Sequence, residues 1–189
     1  MWLIEDIDIY LFYAINKGMK SSFLDFLMPF VTNYRNWYFI AITGMLIIII
    51  KDWKRGVTAI ILAVVVVSIS DYLNSHIIKS LFGRVRPCRE LPIETMYLII
   101  GCPHNPSFPS SHASNIFALS VVLVYRYRTL LAVMLIYAFL VCLSRVYLGV
   151  HYPFDVIAGG VSGIFYGSAV IFTYKQVIKK YEKTKSIKG

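Results

Sequence analysis

Apolar residues in this chain come in blocks separated by short clusters of charge, a pattern of membrane-spanning helices rather than of a soluble fold. Trp2 to Asn16 mixes Glu5, Asp6 and Asp8 with Ile4, Ile7, Ile9, Leu11 and Phe12, which predicts an amphipathic helix lying in the membrane interface. Lys17, Gly18 and Lys20 end it. Ser21 to Thr32 reads as a short first span containing Asp25 and Pro29, and Asn33 to Asn36 as a turn. Trp37 to Ile50 is the second span, with Trp37 and Tyr38 as interfacial anchors, and Lys51 to Arg55 is a basic loop. Gly56 to Ile78 is the third. Its second half carries Ser68, Ser70, Asp71, Asn74, Ser75 and His76, a face that must look into a bundle or cavity rather than into lipid. A long loop from about Phe82 to Pro109, rich in Pro, Gly and charge, has the length of a functional loop. The fourth span runs from Ser110 or Ser111 to Tyr125, the fifth from Thr129 to about Tyr147 and the sixth from Pro153 to Tyr174. Arg126 and Arg128 make a basic turn between the fourth and fifth. The basic stretch KQVIKKYEKTKSIKG, about 175–189, reads as a frayed tail.

These elements predict an all-α integral membrane bundle of six transmembrane helices, with an N-terminal interfacial helix, in one domain over 1–189 and a catalytic core at about 70–160. Composition agrees: 58% hydrophobic against 15% charged residues, with mean hydropathy +0.65, is too apolar for a soluble chain of 189 residues. A net charge of +9 raises nucleic acid as a partner, but most cations lie in short loops and the tail, where membrane orientation explains them better. The start MWLIEDIDIYLFY has neither the basic region nor the small-residue cleavage site of a signal peptide. Six spans put both termini on one side. The positive-inside rule makes that side cytoplasmic, so the long loop and the Leu148–His151 turn fall outside. The polar ends of spans three to six then meet at one membrane face.

Three polar segments converge there. KSLFGRVRP supplies Lys79, Arg84 and Arg86, followed by Arg89. Positive charge on the outer face runs against the orientation rule, so this cluster needs another reason. FPSSHASN opens a helix with Pro109 and a Ser110 or Ser111 cap, exposing free N–H groups to an anion beside His112. SRVYLGVHYPFD places Arg145, His151 and Asp155 at a membrane edge, with His151 and Asp155 one helical turn apart. A carboxylate that accepts from one imidazole nitrogen fixes the tautomer and frees the other nitrogen. Cations, helix-start amides, two histidines and a carboxylate suit a phosphate ester: cations hold the equatorial oxygens, one histidine attacks phosphorus and the other protonates the leaving oxygen. Metal chemistry fits less well, because Glu90, Glu94 and Asp155 are too scattered for a two-metal clamp.

At this point the sequence resembles the type 2 phosphatidic acid phosphatase superfamily, integral-membrane lipid phosphatases with the three-part signature K-x6-R-P, P-S-G-H and S-R-x5-H-x3-D. The matching residues are Lys79, Arg86 and Pro87; Pro109, Ser110, Ser111 and His112; and Ser144, Arg145, His151 and Asp155. Ser111 departs from the family's glycine. It keeps the amide but can crowd a phosphate. The resemblance implies His151 as a nucleophile forming phosphohistidine, Asp155 as its partner and His112 as general acid. It implies Lys79, Arg86, Ser110, Ser111 and Arg145 as phosphate ligands, with no metal or other cofactor and no protein partner. It also implies a bacterial inner-membrane enzyme whose substrate, a membrane lipid phosphate, enters from the bilayer at the extracytoplasmic face.

Lipid A 1-phosphate and undecaprenyl pyrophosphate are the favoured substrates, because Arg84 and Arg89 suggest extra head-group charge. Phosphatidylglycerophosphate and phosphatidate are the alternatives. Lipid-to-lipid phosphotransfer and non-catalytic lipid binding or transport remain competing functions. Cys88 and Cys102 share the outer loop, and both a bridge and two free thiols are open readings. Cys142 has no evident partner. His76 reads either as support behind Lys79 or as a polar bundle contact, and His104 as solvated loop.

Overall fold

The structure, a computed structural model, describes residues 2–188 and contains helices but no strands among them. The helices are α1 (Trp2–Asn16), α2 (Ser22–Thr32), α3 (Tyr38–Lys51), α4 (Trp53–Tyr72), α5 (Lys79–Phe82), α6 (Pro87–Glu90), α7 (Ser111–Arg126), α8 (Leu131–Tyr147) and α9 (Pro153–Lys188). Among the described residues three helical stretches are long and apolar enough to cross a membrane: Trp53–Glu90, Arg128–Tyr147 and Pro153–Ser186.

α7 is the central helix, packed on α4, α8 and α9. Its contact with α9 is close because glycines face it. A Cβ on Gly159 would stand 2.4 Å from the Ser110 carbonyl oxygen, and one on Gly163 would stand 2.2 Å from that of Ser114. Small residues of this kind let membrane helices approach backbone to backbone. Part of the polar face expected on the third span is buried here: Ser70 and Asn74 fully and Ser75 half, while Ser68, Asp71 and His76 stay exposed. Ser70 and Ser114 share a 2.8 Å hydrogen bond, Ser70 also donates to Asn115 Oδ1 at 2.7 Å, and Ser162 of α9 donates to Ser114 at 3.1 Å.

The two ends of the bundle differ. At one end Arg55 donates to the Arg126 carbonyl, so the loops before α4 and after α7 meet there. At the other end lie the N-termini of α7 and α9, the C-terminus of α8 and the long loop. α1 lies at this second end. Its inward row is Asp8, Phe12 and Asn16, all fully buried, while Ile7, Tyr10 and Leu11 face outward. Asn16 donates to the carbonyls of Tyr97 (2.6 Å) and Tyr147 (2.8 Å) and accepts the Tyr97 N–H (2.7 Å).

The expected first and second spans are not two full passes. α2 starts beside Tyr147 at the end of α8, whose hydroxyl donates to Asp25, and Val31 has descended to the level of Ala138 and Val141. Trp37 donates to the Val31 carbonyl (3.0 Å) and packs on Tyr137 (4.7 Å between ring centroids), so it plugs a break between α2 and α3 instead of anchoring at an interface. α3 then continues to the opposite end, where Ile48 meets Gly56. Together α2 and α3 make one broken pass. With α4, α7, α8 and α9 this gives, among the described residues, five passes from one end of the bundle to the other, and α1 and the end of α9 lie at opposite ends.

α9 also differs from expectation. It stays helical through Lys188, since nothing in 175–188 is Gly or Pro and the stretch is rich in good helix formers. At 36 residues it is about 54 Å long, well beyond the roughly 30 Å of a hydrocarbon core.

Candidate active site

Lys79 follows a π-helical turn, Leu73–Ile78, in which its N–H donates to the Asn74 carbonyl. The wider turn inserts one extra residue, which rotates the downstream residues by about 100° relative to a continuous α-helix. Lys79 is thereby buried, with Nζ donating to the Pro106 carbonyl at 2.8 Å. Arg86 precedes Pro87, the first residue of α6, and is also buried. Its guanidinium is held in one plane by loop acceptors: the Asn105 carbonyl (2.7 Å), Asn105 Oδ1 (2.9 Å) and the Val150 carbonyl (2.8 Å). Arg145 comes from the last turn of α8, where Nη1 donates to Thr32 Oγ1 at 3.0 Å and Nε is buried without a partner.

Ser110 caps α7, its Oγ accepting from the Ala113 amide at 3.5 Å, and its own N–H donates to the Asp155 carbonyl at 2.9 Å. The amides of Ser111 and His112 fall in the first turn of α7, where a helix leaves N–H groups without internal acceptors. Ser111 Oγ shares a 3.2 Å hydrogen bond with Ser75.

His151 is almost fully buried between the two imidazole-facing groups that decide its tautomer. Nε2 lies 3.1 Å from Arg86 Nη1, which can only donate, so Nε2 carries the lone pair. Nδ1 then carries the proton, and it faces Asp155 Oδ2 at 3.5 Å. Burial, and after it Arg145, Arg86 and Lys79, hold the imidazole well below its usual range, keeping it neutral. Asp155 is fixed in turn by the Tyr152 N–H (2.9 Å to Oδ2) and by Arg84 (2.9 Å to Oδ1).

Lys79, Arg86, Ser111, His112, Arg145 and His151 line the head of one cavity of about 1100 Å³. The cavity continues between α3, α4, α7 and α8, past Asp71 and Asn115, to Leu119, Leu123, Val133 and Met134. A charged head on a long apolar sleeve suits a phosphate carried on a lipid chain, and its long apolar helices make this a multi-pass membrane protein. Comparison with known proteins gives the family. The model described as PAP2 superfamily matches residues 55–179, and the chain belongs to that superfamily of membrane phosphatases. It is 29% identical to the lipid A 4'-phosphatase of Bacteroides thetaiotaomicron over 98% of this chain and 85% of that one. It is 32% identical to the undecaprenyl-diphosphatase of Sulfolobus acidocaldarius over 82% and 73%. Its fold matches the crystal structure of a transmembrane PAP2-type phosphatidylglycerolphosphate phosphatase from Bacillus subtilis, with TM-score 0.70 and 23% identity over 93% and 88%.

Several outer residues differ from expectation. Arg84 does not face the cavity as a head-group contact, since both of its amino groups are engaged by Asp155 and Asp8. Arg89 is exposed at the rim and donates to His104 Nδ1 (2.6 Å), so His104 is not merely solvated. His76 stacks on Tyr72 and supports nothing in the site. Cys88 and Cys102 are bridged, with Cα atoms 5.9 Å apart, and Cys142 is free. Asn105, which grips Arg86, and Asp8 escaped sequence reasoning. Asn105 carries no pattern signal; Asp8 had one, as a carboxylate set between Ile7 and Ile9.

Proposed function

We propose that this protein removes a phosphate from a membrane lipid, a phosphomonoester or a pyrophosphate, through a phosphohistidine on His151. The observation that carries this reading is the opposition of His151 Nε2 to a cationic cradle while Nδ1 faces Asp155. In the first step the Nε2 lone pair attacks phosphorus. The bond to the leaving oxygen breaks in line, and His112 gives that oxygen a proton. In the second, His112 takes a proton from water, whose oxygen attacks phosphorus and breaks the P–N bond, releasing inorganic phosphate. Lys79, Arg86, Arg145 and the Ser110–Ser111 turn hold the phosphoryl oxygens in a site where such donors are preorganised. Among the described residues no three His, Cys, Asp or Glu side chains group as a metal site.

The lipid chain occupies the sleeve beneath the site. Relatives named for lipid A and undecaprenyl diphosphate support a phosphorylated glycolipid or a polyprenyl pyrophosphate as substrate, over phosphatidylglycerophosphate or phosphatidate. The site faces the extracytoplasmic side of a bacterial inner membrane. Support comes from the disulfide at the site end, which needs an oxidising compartment, and from Lys51, Lys54, Arg55, Arg126, Arg128 and the basic tail at the other end. On this reading α1 rests on the outer interface, the five passes cross the bilayer and only the C-terminal end is cytoplasmic.

Phosphate release from purified protein across a panel of defined lipids tests the assignment. His151→Ala should abolish release; undiminished release would refute His151 as the nucleophile, and no release by the wild type from any lipid of the panel would leave lipid binding or transport as the reading. Adding an acceptor lipid separates hydrolysis from lipid-to-lipid transfer, since transfer lowers free phosphate while donor is still consumed.

A further inference from the structure

α1 turns a carboxylate into the bundle. Asp8 is fully buried, and its Oδ2 lies 2.7 Å from Arg84 Nη2. Its Oδ1 accepts the N–H of Phe154 at 2.9 Å. Pro153 is the first residue of α9, so this N–H is one of the helix-start donors that have no internal acceptor, and Asp8 satisfies it from another helix. The other amino group of Arg84 lies 2.9 Å from Asp155 Oδ1, and the guanidinium sits over the Tyr152 ring at 4.3 Å from its centroid. One planar cation thus joins two carboxylates, and ring and ion pairs together fix its plane.

Each oxygen of Asp155 is therefore assigned. Oδ1 takes Arg84, which leaves Oδ2 to accept the Tyr152 N–H and to face His151 Nδ1, a buried atom with no other partner, at 3.5 Å. With Asp8 removed, Arg84 keeps one carboxylate and gains freedom to swing toward it. Asp155 can then rotate, and the imidazole loses the acceptor that sets its tautomer and aim. We propose that Asp8 is a positioning residue for phosphoryl transfer: through Arg84 it orients Asp155 and hence His151, which makes α1 part of the catalytic unit and not only a membrane-surface helix. This rests on reading His151 as the nucleophile.

The test is steady-state phosphate release by the purified full-length protein, using the lipid phosphate that the wild type turns over. Asp8→Asn keeps the shape and an acceptor for Phe154 but loses the ion pair. A reacting group misplaced by about 1 Å can lose on the order of a hundredfold in rate, so kcat should fall roughly ten- to a hundredfold with KM nearly unchanged. Asp8→Glu should restore much of it. The decisive arm is the double variant: if Asp8 acts through Asp155, Asp8→Asn combined with Asp155→Asn is no slower than Asp155→Asn alone. Losses that multiply, or a wild-type kcat in folded Asp8→Asn, overturn the proposal. Should Asp8→Asn not fold, Arg84→Lys carries the same test, because a lysine keeps the charge but cannot grip both carboxylates in one plane; a wild-type kcat there also overturns it. His151→Ala run alongside separates the two readings, since its undiminished activity would sink the nucleophile itself, whereas a dead His151→Ala beside a normal Asp8→Asn removes only the positioning role.

Discussion

Reducing the Cys88–Cys102 bridge should weaken both the fold and the catalysis, for separate reasons that can be measured apart. The bridge spans a sequence separation of 14, and closing a loop of about that size in the unfolded chain contributes about 3 kcal/mol. For a chain of this length that corresponds to a fall of roughly 6–12 °C in Tm. The catalytic effect has its own origin. Arg86 and Lys79 hang on carbonyls of Asn105 and Pro106, just beyond Cys102, while Arg86 itself lies just before Cys88. The bridge therefore clamps together the two ends of the segment that aims these cations. Loosening it should cut kcat/KM by about tenfold, one lost aligned contact being worth about 1.4 kcal/mol. The assay is thermal unfolding and phosphate release in one detergent, for wild type with and without reductant and for Cys88→Ser with Cys102→Ser. If the double variant melts lower yet keeps its full kcat/KM well below the new Tm, the clamp on the cations is wrong. If Tm does not move at all, the loop-closure argument is wrong.

Activity should stay level as pH falls through about 6.5, the ordinary imidazole value, and decline only well below it, because burial and three cations keep His151 neutral in the folded protein. The same depressed affinity means that the unfolded chain takes the proton first, so stability should fall as pH drops through about 6.5; a Tm that rises on acidification would contradict this. Gly163→Ala places a methyl against the Ser114 carbonyl and should cost about 1–3 kcal/mol, read as a lower Tm together with slower turnover as α7 shifts His112. Ser111→Gly should change kcat/KM by less than about fivefold, because Ser111 Oγ bonds Ser75, and a larger loss would place that hydroxyl on the phosphate. Dialysis against EDTA should leave phosphate release unchanged, and inhibition reversed by magnesium would contradict the metal-free mechanism.

The site was legible because chemistry restricts which residues can stand at a membrane edge. Lys79, Arg86, Arg145 and the histidines are costly there, so each stood out against an apolar background. The passes were less legible. A run such as Trp37 to Ile50 reads the same whether it crosses a bilayer alone or finishes a descent begun by α2. Only packing separates the two: Trp37 lies against Tyr137 in the middle of α8 rather than at an end. The direction of α1 was hidden for a related reason. Its acidic residues suggested a face toward water, yet Asp8 and Asn16 point inward, because this bundle end offers Arg84, the Phe154 N–H and two backbone carbonyls as partners. Arg84 misled as well, since adjacency to Arg86 and Arg89 in sequence says nothing about two carboxylates arriving from α1 and α9.

The charge balance of this cluster bears on what the site can accept. Lys79, Arg84, Arg86 and Arg145 stand against Asp8 and Asp155, so two positive charges are left over before His112 takes up, with the substrate, the proton it gives to the leaving oxygen. Asp71 does not change this, since it is hydrogen-bonded by Asn115 farther along the cavity wall (3.1 Å) and is not part of the buried cluster. A phosphomonoester dianion, or the terminal phosphate of a pyrophosphate, supplies the two opposite charges; a phosphodiester supplies one. Where water is scarce an uncompensated charge costs several kcal/mol, so one unmatched cation should disfavour a diester by at least about a hundredfold in kcat/KM. The same lipid offered as monoester and as its methyl diester is the direct comparison. Equal turnover would mean that the leftover charge is screened by water, and that the low-dielectric argument for this site is mistaken.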